Sequence, residues 1–148
     1  FQVSGSTVAP RPANPPRLYF GGASEAAERV AATEADVQLF WGEPLDGVAE
    51  RIDRLRTLGD KLGRSIGPLE FGLRITTFVR DTTEQAWAGA EARVAAMAGG
   101  PADPNRHTAV GQQRLLDLAK SGDVLDGNLY TAPGKFGGGG ASTTWLVG

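Results

Sequence analysis

Leu18-Tyr19-Phe20-Gly21-Gly22-Ala23-Ser24 is an apolar run that stops at two glycines, a small residue and a hydroxyl. Glu25-Ala26-Ala27-Glu28-Arg29-Val30-Ala31-Ala32 then has the composition of a helix. The stretch predicts a strand running straight into a helix N-terminus, where first-turn N–H groups lack intrahelical partners and carry the positive end of the dipole. Gly21 and Gly22 allow the backbone to close on a phosphate at that point, which makes the turn a candidate anion site. Ser24 has an equally simple reading as an ordinary N-cap.

Working outward, the same unit recurs. Asp36-Val37-Gln38-Leu39-Phe40-Trp41-Gly42 reads as a second buried strand ended by glycine. Pro44 suits the first helical position, and Leu45, Val48, Ile52, Leu55 and Leu62 recur at helical steps until Gly63. A third strand is predicted over Leu69 to Arg80. Asp81-Thr82-Thr83-Glu84 then has capping-box spacing, and the helix continues through Trp87, Ala90, Val94 and Met97 to Gly99-Gly100-Pro101. The order β-α-β-α-β-α implies parallel strands with right-handed helical crossovers.

Composition bounds the function. The chain has 148 residues, 41% hydrophobic, with a net charge of −2 and a pI near 5.4. This predicts a soluble, cytoplasmic protein with one core and no electrostatic reason to bind nucleic acid or an anionic membrane. The absence of Cys excludes disulfides, thiolate metal sites and a Cys nucleophile, and the single His107 argues against a histidine metal centre, so no metal is expected. There is no basic-then-apolar leader and no apolar run of about 18 residues.

Residues 101–144 read differently, with one helix candidate, Val110 to Lys120, and otherwise loop, polar and turn-rich from Asp123 to Lys135. Gly is 21 of 148 residues, and five glycines fall between Gly134 and Gly140, a run suited to a mobile lid or a linker. Thr144-Trp145-Leu146-Val147-Gly148 reads as a last strand. Phe1 is not an initiator Met, and residues 1–16 read as an extended, proline-broken entry segment. These ends suggest a fragment of a larger α/β protein, about four βα units or half of a barrel, prone to association when isolated.

Period two in the third strand sets Phe71, Leu73, Ile75, Thr77 and Val79 against Gly72, Arg74, Thr76, Phe78 and Arg80. Arg74, in the middle of a strand expected to be buried on both faces, requires an anion, a carboxylate or a water-filled cavity. A structural ion pair with a neighbouring strand meets that need as well as a ligand does. Trp41, at the carboxyl end of its strand, can wall a flat ligand or simply pack a loop. Glu43 can act as a base or favour the dipole of the next helix. His107 reads as a surface residue, and Arg51, Arg54, Arg56 and Lys61 read as a solvated helix face.

Taken in order, Pro16 to Ser24, Leu39-Phe40-Trp41-Gly42-Glu43-Pro44, Phe71-Gly72-Leu73-Arg74, Val110-Gly111-Gln112-Gln113-Arg114-Leu115, Asn128-Leu129-Tyr130 and Gly138 to Gly148 resemble the bacterial luciferase-like flavin monooxygenases. Within these, they are most similar to the alkanesulfonate monooxygenase branch. The resemblance spans almost the whole chain. It implies a (β/α)8 TIM barrel, here a single domain represented in part. It further implies reduced FMN supplied by a separate flavin reductase, activation of O2, and conversion of an alkanesulfonate to an aldehyde and sulfite, in a homo-oligomer when full length. By the same resemblance Gly21, Gly22, Ala23 and Ser24 form the FMN phosphate turn, Trp41 lies beside the isoalloxazine, and Arg74 faces the sulfonate.

The sequence departs from that branch at Thr76, where the pattern has His; a hydroxyl keeps hydrogen bonding but takes up no proton near neutral pH. The family's mobile insertion corresponds to Gly111 through Gly140, with Arg106, Arg114 and Lys135 as candidates for the arginine it brings over the substrate. Another organosulfur substrate, a phosphate-binding barrel without flavin, and an inactive interaction module are the alternatives.

Overall fold

Strands β1 (Tyr19–Gly21), β2 (Val37–Trp41) and β3 (Glu70–Arg74) lie side by side, all parallel, in the order β1-β2-β3. Helices α1 (Glu25–Glu34) and α2 (Leu45–Lys61) connect them, because parallel neighbours need a crossover and cannot be joined by a hairpin. The computed structural model describes residues 2–7, 9–99, 110–136 and 144–148. Register pairs Gly21 with Leu39, Leu39 with Gly72, and Trp41 with Arg74. Alternation therefore places Phe20, Phe40 and Phe71 on one side and Gly21, Leu39, Trp41, Gly72 and Arg74 on the other. Phe40 stacks on Phe71 at 5.6 Å, and together with Ala31, Leu55 and Leu69 they form the core under α1 and α2. On the opposite side, a Cβ at position 72 would come within 2.7 Å of Leu39 Cδ2, so only glycine lets Leu39 lie across β3.

The expected single strand from Leu69 to Arg80 is two strands. β3 ends at Arg74, and β4 (Thr76–Phe78) belongs to a second sheet of order β4-β7-β6-β5. Thr76 pairs with Trp145 and Phe78 with Val147 of the parallel strand β7 (Trp145–Val147). That row packs on α3 (Thr83–Ala98) through Ala86, Ala90 and Val94. Ile75 thus absorbs one residue of the alternation: Thr76 lies in the helix-facing row, whereas Arg74 lies on the side away from α1 and α2. Arg74 is also exposed at a strand end, not enclosed in the middle of a strand.

Three further local readings are corrected. Leu45 is 74% exposed and takes no part in the α2 core. The α3 cap is Thr82, whose hydroxyl accepts from Gln85 N at 3.2 Å, one residue beyond the Asp81 of the capping-box reading. Asp123 to Lys135, read as loop, forms a hairpin of β5 (Val124–Leu125) and β6 (Leu129–Tyr130) and a 3-10 turn (Ala132–Lys135). Asp126 and Gly127 both take positive φ at the hairpin tip, a conformation this residue pair tolerates well.

Helix α4 (Val110–Ser121) precedes the hairpin. Trp145 anchors the second core, stacked on Phe78 at 5.9 Å and edge-on to Tyr130 at 6.2 Å. The C-terminal third grips two positions of the β2–α2 loop and the first residue of α2. Thr144 Oγ1 donates to Gly42 O at 2.6 Å, Arg114 pairs with Glu43 at 2.7 Å, and Asp126 Oδ2 accepts from Leu45 N at 2.7 Å. Among the described residues, no helix is long and apolar enough to cross a membrane.

Candidate functional site

The β1–α1 turn is built for close approach. A Cβ at position 22 would lie 2.5 Å from Ala27 Cβ and 3.2 Å from the Phe20 ring, so Gly22 is what lets α1 start against the strand. Ser24 caps the helix, its hydroxyl accepting from Ala27 N at 3.2 Å. The Gly22 carbonyl is fixed by two donors, Gln38 Nε2 and Arg51 Nη2, each at 3.2 Å. Holding that oxygen fixes the peptide plane from which the following N–H groups project at the positive end of α1.

Arg51 is the residue that sequence reading missed. Expected on a solvated helix face, it is 4% exposed and lies over the Phe40 ring at 4.7 Å. Its Nη1 pairs with Glu43 Oε1 at 2.7 Å and its Nε with Glu28 Oε1 at 3.3 Å. Glu43 is the hinge of the network: its other oxygen accepts from Arg114 Nη2 at 2.7 Å, so both oxygens are engaged and it is not an available base. Arg54 completes the cluster through Glu28 at 2.8 Å. A charge this deep persists only when paired, since an unpaired one would be very costly.

Burial pushes the Glu28 carboxyl up, but hydrogen bonding and charge from Arg54, then Arg51, bring it net below the ordinary glutamate range. A depressed folded value means that the unfolded chain binds the proton more tightly. The stabilisation is therefore present above the unfolded pKa and is lost as pH falls through the folded one. Acid titration of stability is expected to show this loss below about pH 4, and Glu28→Gln to flatten that limb. An unchanged limb in Glu28→Gln would remove Glu28 from the account.

A cavity of about 250 Å³ opens at the carboxyl ends of β1 and β2. The Gly21–Ala23 turn, Leu39 and Trp41 of β2, and Glu43 and Arg51 line it. Arg114, Leu115 and Leu118 of α4 complete the lining. The structure thus brings together Gly21, Gly22, Ala23 and half-buried Trp41, with Ser24 at the adjoining cap. Arg74 is Trp41's neighbour in register on the same side of the sheet. Thr76 stands apart, exposed, in the row that faces α3. Lys135 pairs with Asp123. Arg106, His107 and the glycines 137–140 lie outside the described residues.

A family model described as luciferase-like monooxygenase matches residues 1–148. The chain belongs to the luciferase-like monooxygenase family. Enzymes of this kind are monooxygenases that generally use reduced flavin and O2, and a mixed α/β fold with a parallel sheet and covering helices fits them. The luciferase-like cavity has a donor set suited to a flavin. Gly22, which has no room for a Cβ, leads into a helix N-terminus, Trp41 and leucines offer apolar wall, and Arg51 and Arg114 border it. Among the described residues no group of His, Cys, Asp or Glu could hold a metal ion.

Proposed function

We propose that the protein is a reduced-FMN-dependent monooxygenase that converts an alkanesulfonate to an aldehyde and sulfite, with FMN supplied by a separate flavin reductase. In this reading the chain forms part of a (β/α)8 barrel. The observation that carries it is the cavity in which the Gly21-Gly22-Ala23 turn and the Trp41 indole meet at the carboxyl ends of parallel strands. Gly22, Ala23 and Ser24 bind the FMN phosphate with backbone N–H groups at the start of α1. Trp41 would lie beside the ring system, its indole keeping water from it.

Reduced flavin supplies the two electrons by which O2 gives one oxygen atom to the aldehyde and one to water. Arg74, adjacent to Trp41 in register, orients the sulfonate with a planar fork of N–H donors and stabilises negative charge that develops beside it. Thr76 lies in the other row of the sheet and is exposed. It therefore neither shares Arg74's face nor offers a titrating group, which favours a related organosulfur substrate as the second reading.

Titration of the full-length protein with FMN is expected to quench tryptophan fluorescence, and Trp41→Phe to remove most of that quenching while Trp87 and Trp145 remain. A protein that binds no flavin, oxidised or reduced, would overturn the proposal.

A further inference from the structure

Pairing of β1 with β2 ends at Gly21, opposite Leu39, and Gly22 is the first residue past that ladder. A side chain takes over where the ladder stops. Gln38 Nε2 donates to Gly22 O at 3.2 Å and to Leu39 O at 2.9 Å, so one amide ties the turn to the backbone of β2. Arg51 is the second donor to that carbonyl, but Arg51 also lines the cavity and holds Glu28 and Glu43. Gln38 is 0% exposed and reaches neither solvent nor a ligand in the cavity. Its amide stands there at a cost, because Oε1 is buried with no hydrogen-bond partner among the described residues. Phe20 is its neighbour in register, and an apolar side chain of similar length would fill the place without leaving a polar atom unsatisfied. Stability alone therefore gives no reason for an amide at position 38, whereas the Nε2 contact with the turn does.

We infer that Gln38 is a positioning residue for phosphate recognition: by pinning the Gly22 carbonyl to β2 it sets the direction of the N–H groups that open α1, and with it the preference for FMN over a flavin without phosphate. The inference deepens the proposed function and rests on that reading for the phosphate at the turn. A turn released from β2 still leads into a helix N-terminus, but its N–H groups must then be ordered when the anion binds, which lowers affinity. Riboflavin, which lacks the phosphate, makes no such demand on the turn.

Gln38→Met tests it, because methionine keeps the length and the packing of the side chain but has no N–H donor. Gln38→Leu serves as the second variant. The full-length wild type and both variants are titrated calorimetrically with inorganic phosphate, FMN and riboflavin, and melting curves accompany the titrations. Phosphate and FMN affinities are expected to fall roughly three- to tenfold in the variants, the scale of one lost hydrogen bond, with riboflavin affinity unchanged. The melting temperature is expected to stay within about 2 °C of the wild type, since the substitution removes an unsatisfied oxygen along with the donor.

Wild-type affinity for phosphate and FMN in both variants overturns the inference and leaves the flavin reading standing. An equal loss for FMN and riboflavin, with a lowered melting temperature, marks a structural role and overturns it as well. So does a wild type that binds neither phosphate nor FMN. Gln38-dependent phosphate binding in a protein that takes neither flavin upholds the positioning role and removes the flavin reading instead.

Discussion

Arg51→Ala is expected to lower the melting temperature by about 10 °C. Removing one partner of a buried ion cluster typically costs ~3–5 kcal/mol, because the remaining charges stay buried without compensation. At ~2–4 °C per kcal/mol for a chain of about this size, the shift is on the order of 10 °C. Here the groups that lose a donor are Glu43, Glu28 and the Gly22 carbonyl, all of which accept from the Arg51 guanidinium, and each keeps a donor from one other residue, Arg114, Arg54 and Gln38 respectively. Arg51→Met combined with Glu43→Gln is expected to cost less than the sum of the two single changes, since the contact the two residues share is lost only once. Thermal melts of the wild type, Arg51→Ala, the two single changes and the double variant measure both effects. A shift below about 2 °C for Arg51→Ala, within the range of ordinary surface changes, would contradict the placement of Arg51 as the centre of the cluster.

The second large effect is on turnover. Arg74→Ala is expected to reduce sulfite formation about 10²–10³-fold, the scale on which removal of one preorganised charge-stabilising donor acts. The fold is expected to tolerate it: Arg74 is exposed at the last position of β3, so truncation opens no cavity. Arg74→Lys is expected to recover little, because a point charge cannot reproduce a planar fork facing a sulfonate. Steady-state rates at saturating flavin, with flavin affinity measured alongside, separate lost chemistry from lost cofactor. Unchanged sulfite formation in Arg74→Ala would remove the residue from the site.

Much of the frame is written in local sequence. β1, α1, β2 and α2 follow from short apolar runs ended by glycine and from helical spacing, and Gly63 stops α2 at a φ of +72°. The cavity's glycine turn and Trp41 were legible because both sit at strand ends, where a parallel α/β fold collects its ligands.

What failed, failed for physical reasons. Around Ile75, where the chain changes sheets, no Gly, Pro, Asn or Asp announces a break, so the alternation reads straight through it. That single residue moves Thr76 out of Arg74's row. Arg51 carried a signal that its charge concealed: it lies three residues after Val48 and four before Leu55, inside the buried stripe of α2. Its partners come from sequence positions 28, 43 and 22, and no local pattern foretells contacts so far apart. The β5–β6 hairpin also had a usable mark in Asp126-Gly127. The surrounding polar composition masks it, while the buried Leu129, Tyr130 and Trp145 supply the reason that segment folds.

The most direct measurement is product analysis of the full-length protein with reduced FMN, O2 and a series of alkanesulfonates, following sulfite, aldehyde and O2 together. One sulfite and one aldehyde are expected for each O2 consumed in productive turnover, with formation dependent on Arg74. Flavin oxidation that yields neither product from any alkanesulfonate, in a protein shown to bind reduced FMN, would contradict it.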